Sequence, residues 1–181
     1  LKSPADFVGL KMRTAGFGGK VLSKLGVVPQ QIAGGDIYPA LERGTIDACE
    51  WVGPYDDEKL GFNKVAKFYY TPGVMELEAT GHLMINKAAW NSLPPRYQSI
   101  LRYACFFAQT EMMASYDAKN ATAIARLVAA GTQLSVLPED VIKALRGALE
   151  TVLDEEAAQN EQFKRILANW RQFRAEQHRW F

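Results

Sequence analysis

The chain has 181 residues, of which 48% are hydrophobic and 23% charged, with 21 Lys and Arg residues against 20 Asp and Glu residues. This composition is typical of a globular protein and excludes a disordered, collagenous or purely coiled-coil chain. The formal net charge of +1 would not attract nucleic acid or an anionic membrane, and no apolar run approaches the ~18 residues that cross a bilayer.

From Leu10 to Asn86, short apolar runs alternate with short helical runs, and glycines and prolines separate them. We predict a strand at 11–14, a helix at 17–25 that stops at Gly26, and a strand at 27–33. A helix follows at 37–43, capped by Asp36 and closed by Gly44, and then strands at 46–52, 67–70 and 80–86. Strands that alternate with helices favour an α/β fold with a short mixed sheet.

From Lys87 onward the pattern is almost entirely helical. Asn86 is predicted to cap a short helix, and Pro94–Pro95 to begin a long helix that stops at Gly131. A short strand at 132–137 then precedes a last helix that runs almost to the terminus. The sequence therefore divides into an α/β part at 1–86 and a helical part at 87–181.

The last predicted helix carries an apolar stripe that Glu156 and Gln159 interrupt; its later members are Phe163, Ile166, Trp170 and Phe173. One interpretation is packing on its own domain. The other is a dimer contact, because a ~40-residue helix spans about 60 Å. The interruption favours a distal half that docks separately on a second subunit.

Arg13 ends the first predicted strand, just before a glycine-rich turn into a helix. Ligands of open α/β sheets bind beyond the carboxyl ends of strands. A guanidinium there can clamp a carboxylate, assisted by the amides of Gly16 and Phe17 at the helix start. The alternative is a surface arginine that pairs with a neighbouring acid.

Two acidic segments could supply oxygen ligands to a cation. The third predicted strand delivers Glu50 and Trp51 into a Gly-Pro loop, and Glu76 follows a Pro-Gly turn. A carboxylate with backbone carbonyls suits Na⁺ or Ca²⁺. Taken alone, these segments are equally compatible with an ordinary strand end and a solvated acidic loop.

The remaining reactive side chains are predicted to be structural. His82 stands alone in a predicted strand, as a core or interface histidine. Cys49 and Cys105 lie far apart in apolar surroundings, which indicates two buried thiols, with a single disulfide as the alternative. No Ser-His-Asp order, nucleophile elbow, HExxH or phosphate-loop motif occurs.

Several segments together are distinctive: Lys11–Arg13, Leu25–Pro29, Gly35–Ala48 and Glu50–Phe62. Their order resembles the second half of the solute-binding proteins of TRAP (tripartite ATP-independent periplasmic) transporters, and most closely the subgroup that binds 2-oxo acids and related monocarboxylates. The resemblance is strong up to Pro94 and weaker in the helical tail. It implies a periplasmic-binding-protein-like lobe with hinge strands at 1–86, and at 87–181 helices that pack across the lobes, the last of them dimerising.

The resemblance also implies site residues. Arg13 would clamp the ligand carboxylate and Trp51 would line the site. Glu50, the Trp51 carbonyl and Glu76 would hold a Na⁺ or Ca²⁺ that bridges to the carboxylate and to the 2-oxo or 2-hydroxy oxygen. A cation is also expected on physical grounds, because two carboxylates beside an anionic ligand would otherwise repel it.

The implied function is binding rather than catalysis: periplasmic capture of a small 2-oxo or 2-hydroxy carboxylate and delivery to membrane permease subunits, by a homodimer formed through the C-terminal helix. Members of this family are longer, with an N-terminal lobe that would precede Leu1, so the chain resembles a truncated member. Two alternatives stay open. One is an enzyme with Glu50 and Glu76 as an acid–base pair on a carboxylate held by Arg13; the other is an oligomerisation fragment that binds no ligand.

Overall fold

The computed structural model describes residues 1–14, 16–73 and 81–180. Its strands are β1 (Lys11–Arg13), β2 (Val28–Gln30), β3 (Ala48–Cys49), β4 (Phe68–Thr71) and β5 (Gln133–Val136). Its helices are α1 (Gly16–Ser23), α2 (Gly34–Glu42), α3 (Pro54–Lys59), α4 (Lys87–Ser92), α5 (Pro95–Ala129), α6 (Glu139–Gln159) and α7 (Glu161–Gln177), with 3₁₀ turns at Pro4–Phe7 and Phe62–Lys64.

The chain divides into two compact units. The first unit comprises Leu1–Glu50, Tyr70–Met75 and Ser135–Phe181, and the second unit comprises Trp51–Tyr69 and Glu76–Leu134. Each unit takes residues from both sides of position 86, so these units are not the two parts into which the sequence was divided. The assignment of a ligand-binding role to residues 1–86, and of packing and dimerisation to the helices of residues 87–181, stays a prediction.

The first unit is built on a three-stranded sheet in the order β2-β1-β3, in which both pairings are parallel. Helices α1 and α2 supply the crossovers that parallel strands require. β4 and β5 also run parallel, because the Gln133 N–H donates to the Lys67 carbonyl and the Leu137 N–H to the Thr71 carbonyl, both at 2.8 Å. The predicted α/β class is confirmed, although the described strands show no mixture of directions.

The core of the first unit lies between α1 and α6. Its buried members are Phe7, Leu22, Val27, Leu137, Val141 and Leu145. A second cluster joins Val21 of α1 to Ala148 and Val152 of α6. Because one face of α1 and one face of α6 are buried in these clusters, α1 and the preceding strand β1 are held in a fixed place.

The predicted helix ends agree with the structure where a glycine closes the helix. Gly26 and Gly44 have φ values of +86° and +67°, the left-handed conformation that glycine adopts readily. The predicted cap at Asp36 is wrong, because α2 already begins at Gly34 and Asp36 lies in its first turn. The third strand is also shorter than predicted and covers only Ala48–Cys49.

The single last helix predicted from the sequence is wrong, because Asn160 divides it into α6 and α7. Asn160 has extended backbone angles, and its side chain accepts a hydrogen bond from the Phe163 N–H and so caps α7. α7 folds back on α6, where Arg171 pairs with Glu150 at 2.5 Å and with Asp154 at 2.9 Å. At least the inner side of α7 therefore packs within its own unit.

In the second unit, the predicted cap of α4 is confirmed, since the Asn86 side chain accepts hydrogen bonds from the Ala88 and Ala89 N–H groups. The predicted strand at 80–86 is wrong over 81–86, where the described residues form no ladder, and Thr80 lies outside them. His82 is exposed rather than in a core.

The N-terminal half of α5 is exposed although it is strongly apolar. Seven large side chains are 46–73% exposed: Tyr97, Ile100, Tyr103, Phe106, Phe107, Met112 and Met113. Cys105 lies in the same stretch and is exposed, so the prediction that it is buried is wrong for this chain. Cys49 is half-buried, and no disulfide forms between the two described cysteines. None of the helices that the described residues form is long and apolar enough to span a bilayer.

Candidate functional site

Arg13 lies at the carboxyl end of β1, the central strand of the first unit's sheet. β2 and β3 flank it, with Gln30 and Cys49 as its register partners. The Glu50 N–H donates to the Arg13 carbonyl at 2.9 Å, which extends the β1–β3 pairing by one residue. The sheet thereby brings Arg13 and Glu50 together at the edge where α/β proteins bind ligands.

Hydrogen bonds to Ile32 and Glu50 orient the Arg13 guanidinium. Nε donates to the Ile32 carbonyl at 3.3 Å, and Nη1 donates to the Glu50 carbonyl at 2.6 Å and to Glu50 Oε2 at 3.3 Å. The Arg13 and Glu50 side chains are only 12% and 20% exposed. Charge-assisted hydrogen bonds in such a sheltered place hold the planar group in one orientation.

The observed pair agrees in part with the second interpretation of Arg13, because Arg13 does pair with a neighbouring acid, but it is largely buried rather than on the surface. Its role as a clamp for a ligand carboxylate stays a prediction. A ligand carboxylate that reached Arg13 would compete with Glu50 for the same guanidinium and would be repelled by it. A cation beside Glu50 would remove that repulsion.

The Glu50 carboxylate is an oxygen donor of the kind that Na⁺ and Ca²⁺ prefer. That the Trp51 carbonyl joins it in holding a cation stays a prediction. Within the described ranges, no three His, Cys, Asp or Glu side chains are grouped for metal binding. Glu76 lies outside the described residues, so its part in the site stays a prediction.

The other predicted site residues are placed individually. Trp51 is half-buried and is the first residue of the second unit. α1 begins at Gly16, where φ is +54°, so the helix start follows Arg13 as predicted. That Trp51 lines the site, and that the Gly16 and Phe17 amides assist Arg13, stay predictions.

Sequence reasoning missed the groups that hold Arg13 in place. The Ile32 carbonyl is a backbone group, which no residue type reveals. Asp47 closes the other end of the β1–β3 pair, because its Oδ2 accepts from the Lys11 N–H at 2.9 Å. Its N–H also donates to the Lys11 carbonyl at 2.8 Å. Because an aspartate often accepts hydrogen bonds from nearby backbone N–H groups, Asp47, just before β3, was a usable signal for this contact with Lys11.

Asp57 in α3 of the second unit is a titratable group that the sequence did not single out. Tyr69 donates to Asp57 Oδ2 at 2.7 Å. Asp57 Oδ1 is buried with no hydrogen-bond partner in the described part of the chain. Burial raises the pKa of Asp57 to about 6; the charge of Asp56 adds to this shift, and the Tyr69 hydrogen bond opposes it.

Replacing Asp57 with asparagine is therefore expected to stabilise the protein above pH 6. Between about pH 4 and pH 6 the folded protein keeps a proton on Asp57 that the unfolded chain releases, so the free energy of unfolding falls as the pH rises through this window. The asparagine side chain would keep the acceptor for Tyr69 without the charge, and we expect a gain of about 1–2 kcal/mol at pH 7. Urea unfolding at pH 4, 5, 6 and 7 measures this.

Asp117→Asn, at an exposed position of α5, is the matched control and should not change the slope between pH 4 and 6. Equal pH profiles for Asp57→Asn and the unchanged protein would contradict the buried-carboxyl assignment.

The chain is similar to known bacterial solute-binding proteins. The family model described as bacterial extracellular solute-binding protein, family 7, matches residues 1–160. The monocarboxylate 2-oxoacid-binding periplasmic protein of Nostoc sp. is 46% identical over 180 residues, which is 99% of this chain and 50% of that protein.

Two solved structures are close in fold and sequence. A TRAP transporter solute-binding protein from Bordetella bronchiseptica, a mixed-occupancy dimer with calcium and picolinate, is 50% identical with a TM-score of 0.93. One from Pseudoalteromonas atlantica, with bound sodium and pyruvate, is 36% identical with a TM-score of 0.92. Both matches cover 99% of this chain, but only 54% and 55% of those proteins. The chain thus spans about half the length of the relatives it matches.

Proposed function

We propose that this chain, which belongs to the bacterial extracellular solute-binding proteins of family 7, binds a small 2-oxo or 2-hydroxy monocarboxylate as part of a TRAP transporter. The observation that carries the proposal is the largely buried Arg13, fixed by Ile32 and Glu50 at the carboxyl end of the central strand. Such a guanidinium is suited to a planar carboxylate.

In this proposal, different residues of the chain bind the ligand carboxylate and the cation. Arg13 binds the ligand carboxylate through two parallel N–H groups, and Glu50, the Trp51 carbonyl and Glu76 hold Na⁺ or Ca²⁺. When bound, the cation supplies positive charge that offsets the acids and attracts the carboxylate and 2-oxo oxygens. Glu50 would then no longer compete with the ligand for Arg13.

The relatives support this chemistry. The Nostoc protein is named for 2-oxo acids, and picolinate and pyruvate are both carboxylates bound together with a cation. The periplasmic location of the relatives supports a periplasmic location for this protein. Membrane permease subunits as the recipients of the ligand are part of the proposal. The relatives are solute-binding proteins, which disfavours the enzyme alternative.

Isothermal titration calorimetry of the purified protein with pyruvate tests the proposal. We expect binding in the presence of Ca²⁺ or Na⁺, loss of binding after chelation and sodium depletion, and no conversion of pyruvate by NMR. Conversion would favour the enzyme with Glu50 and Glu76. Absence of binding under every condition would favour a fragment that only oligomerises.

We also propose homodimerisation through α7. Three large side chains of this helix are 43–58% exposed: Ile166, Trp170 and Phe173. The Bordetella relative crystallised as a dimer. An apolar strip of this kind is typical of a partner surface.

Truncation after Ala158 is expected to convert the dimer to a monomer in sedimentation experiments. Because the truncation also removes the buried Leu167, the double variant Trp170→Glu/Phe173→Glu is the second test, and Gln162→Glu, an exposed α7 position, is its control. A truncated chain that dimerises as well as the full chain would restrict α7 to covering its own unit.

A further inference from the structure

Gln30 ends β2, which lies on the other side of β1 from Glu50. It is the register partner of Arg13 on β2, as Cys49 is on β3. Because neighbouring strands lie about 4.8 Å apart, Gln30 is one strand spacing from Arg13 and two spacings, about 10 Å, from β3. The carboxyl end of the sheet therefore places Gln30 and Glu50 on opposite flanks of Arg13.

The side chains of Gln30 and Arg13 project from the same face of the sheet. Partners in a parallel ladder share a face, and successive residues alternate between faces. The opposite face is the one that α1 covers, because a Cβ atom placed on Gly19 would lie 3.4 Å from Pro29 Cβ and 3.6 Å from Thr14 Cγ2. Pro29 precedes Gln30 and Thr14 follows Arg13, so Gln30 and Arg13 both face away from α1.

The Gln30 carboxamide takes no part in the hydrogen bonding of the described chain. Gln30 is half-buried, although β2 is an outer strand of the sheet and Val28 is 44% exposed. The Gln30 backbone carbonyl accepts from the Thr14 N–H at 3.3 Å. Its side chain forms no hydrogen bond within residues 1–14, 16–73 and 81–180. A ligand acceptor would therefore satisfy a donor that partial burial has already deprived of some of its water.

We infer that Gln30 is a second ligand-binding side chain, which donates from Nε2 to one oxygen of the ligand carboxylate. The inference deepens the proposed function and rests on it. In that proposal the cation lies on the Glu50 side of Arg13 and takes one carboxylate oxygen together with the 2-oxo oxygen. The other carboxylate oxygen then points to the Gln30 side, where a donor binds it strongly because the acceptor is charged.

The test compares Gln30→Met and Gln30→Glu in the full chain, with Gln31→Met as the matched control. Methionine keeps the length of the side chain and removes the donor, whereas glutamate keeps the shape and adds a negative charge beside Arg13. Gln31 is the next residue and is exposed. Calorimetry measures pyruvate affinity over a range of Ca²⁺ concentrations, and circular dichroism and urea unfolding check that each variant folds.

In Gln30→Met, we expect pyruvate affinity to fall about tenfold, the loss of one hydrogen bond to a charged group. The rise of affinity with Ca²⁺ should persist, because the proposed cation ligands are intact. In Gln30→Glu the fall should be at least about 100-fold, since the added carboxylate repels the ligand and competes with it for Arg13. Gln31→Met should bind as the unaltered protein does.

Unchanged affinity in Gln30→Met, or an equal loss in Gln31→Met, would overturn the inference and leave Gln30 as a polar residue of an outer strand. A Gln30→Glu variant that binds as tightly as the unaltered protein would overturn it as well. In each of these results the unaltered protein still binds pyruvate, so the proposed function stands. If the unaltered protein bound no pyruvate, the proposed function and the inference would both fail.

Discussion

Replacing Arg13 with lysine is expected to weaken the binding of a small 2-oxo acid by about 2–4 kcal/mol, the value for a desolvated charge-assisted pair. Lysine keeps the charge but has one ammonium group in place of the planar fork. In the structure the fork contacts the Ile32 carbonyl through Nε and Glu50 through Nη1. A lysine cannot reproduce both contacts and also present two parallel donors to a carboxylate.

Calorimetry with pyruvate at a saturating cation concentration measures this effect, with circular dichroism as the check on folding. Arg43→Lys is the matched control, because Arg43 is exposed at the C-terminus of α2, and it should bind as the unaltered protein does. An Arg13→Lys variant with undiminished affinity would remove Arg13 from the site.

The sequence predicted the local elements well where one residue type determines the backbone. Gly26 and Gly44 end helices because they adopt positive φ at little cost, and Asn86 begins a helix because its side chain accepts from two N–H groups. Those signals are local and need no knowledge of the rest of the fold. The α/β class followed from the same alternation of short elements.

Predictions that depended on contacts between different elements of the fold were less reliable. The apolar stripe resumes after its interruption at Glu156 and Gln159, and it was read as one helix, but the backbone breaks at Asn160 so that α7 can return along α6 and bury Leu167. Apolar periodicity cannot distinguish one long helix from a hairpin of two. Likewise, residues 81–86 contain a short apolar run, Leu83–Ile85, that is compatible with a strand. A strand needs a paired backbone, however, which a single sequence does not display.

The candidate site shows the same limit. The sequence placed Arg13 and Glu50 at the ends of two strands and assigned them separate roles. It could not show that those strands are adjacent and parallel, with Arg13 opposite Cys49, and that the two side chains therefore form an ion pair. The contact of Arg13 with the Ile32 carbonyl leaves no pattern in the sequence, because such a contact with a backbone group is a product of the fold.

Replacing Glu50 with glutamine is expected to weaken cation binding by at least about 10- to 100-fold, the loss typical when a residue that only supports a metal ligand is replaced. It removes one negative charge from a site built on carboxylate oxygens, and Glu76→Gln is expected to act in the same direction. The glutamine oxygen can still accept from Arg13 Nη1, which now bonds both the Glu50 carbonyl and Oε2. The fold of the first unit should therefore persist.

The informative quantity is pyruvate affinity as a function of cation concentration. In the unaltered protein without cation, Glu50 both repels the ligand and competes for Arg13, so affinity should rise steeply as cation is added. In Glu50→Gln, affinity should be lower at saturation and nearly flat, because the repulsion that the cation relieves is gone. Arg13→Lys should instead lower the whole curve, and Glu111→Gln, an exposed α5 position, should change nothing. Pyruvate binding that is unaffected by chelation and sodium depletion in the unaltered protein would show that no cation bridges ligand and acids, and Glu50 would then be only the ion-pair partner that orients Arg13.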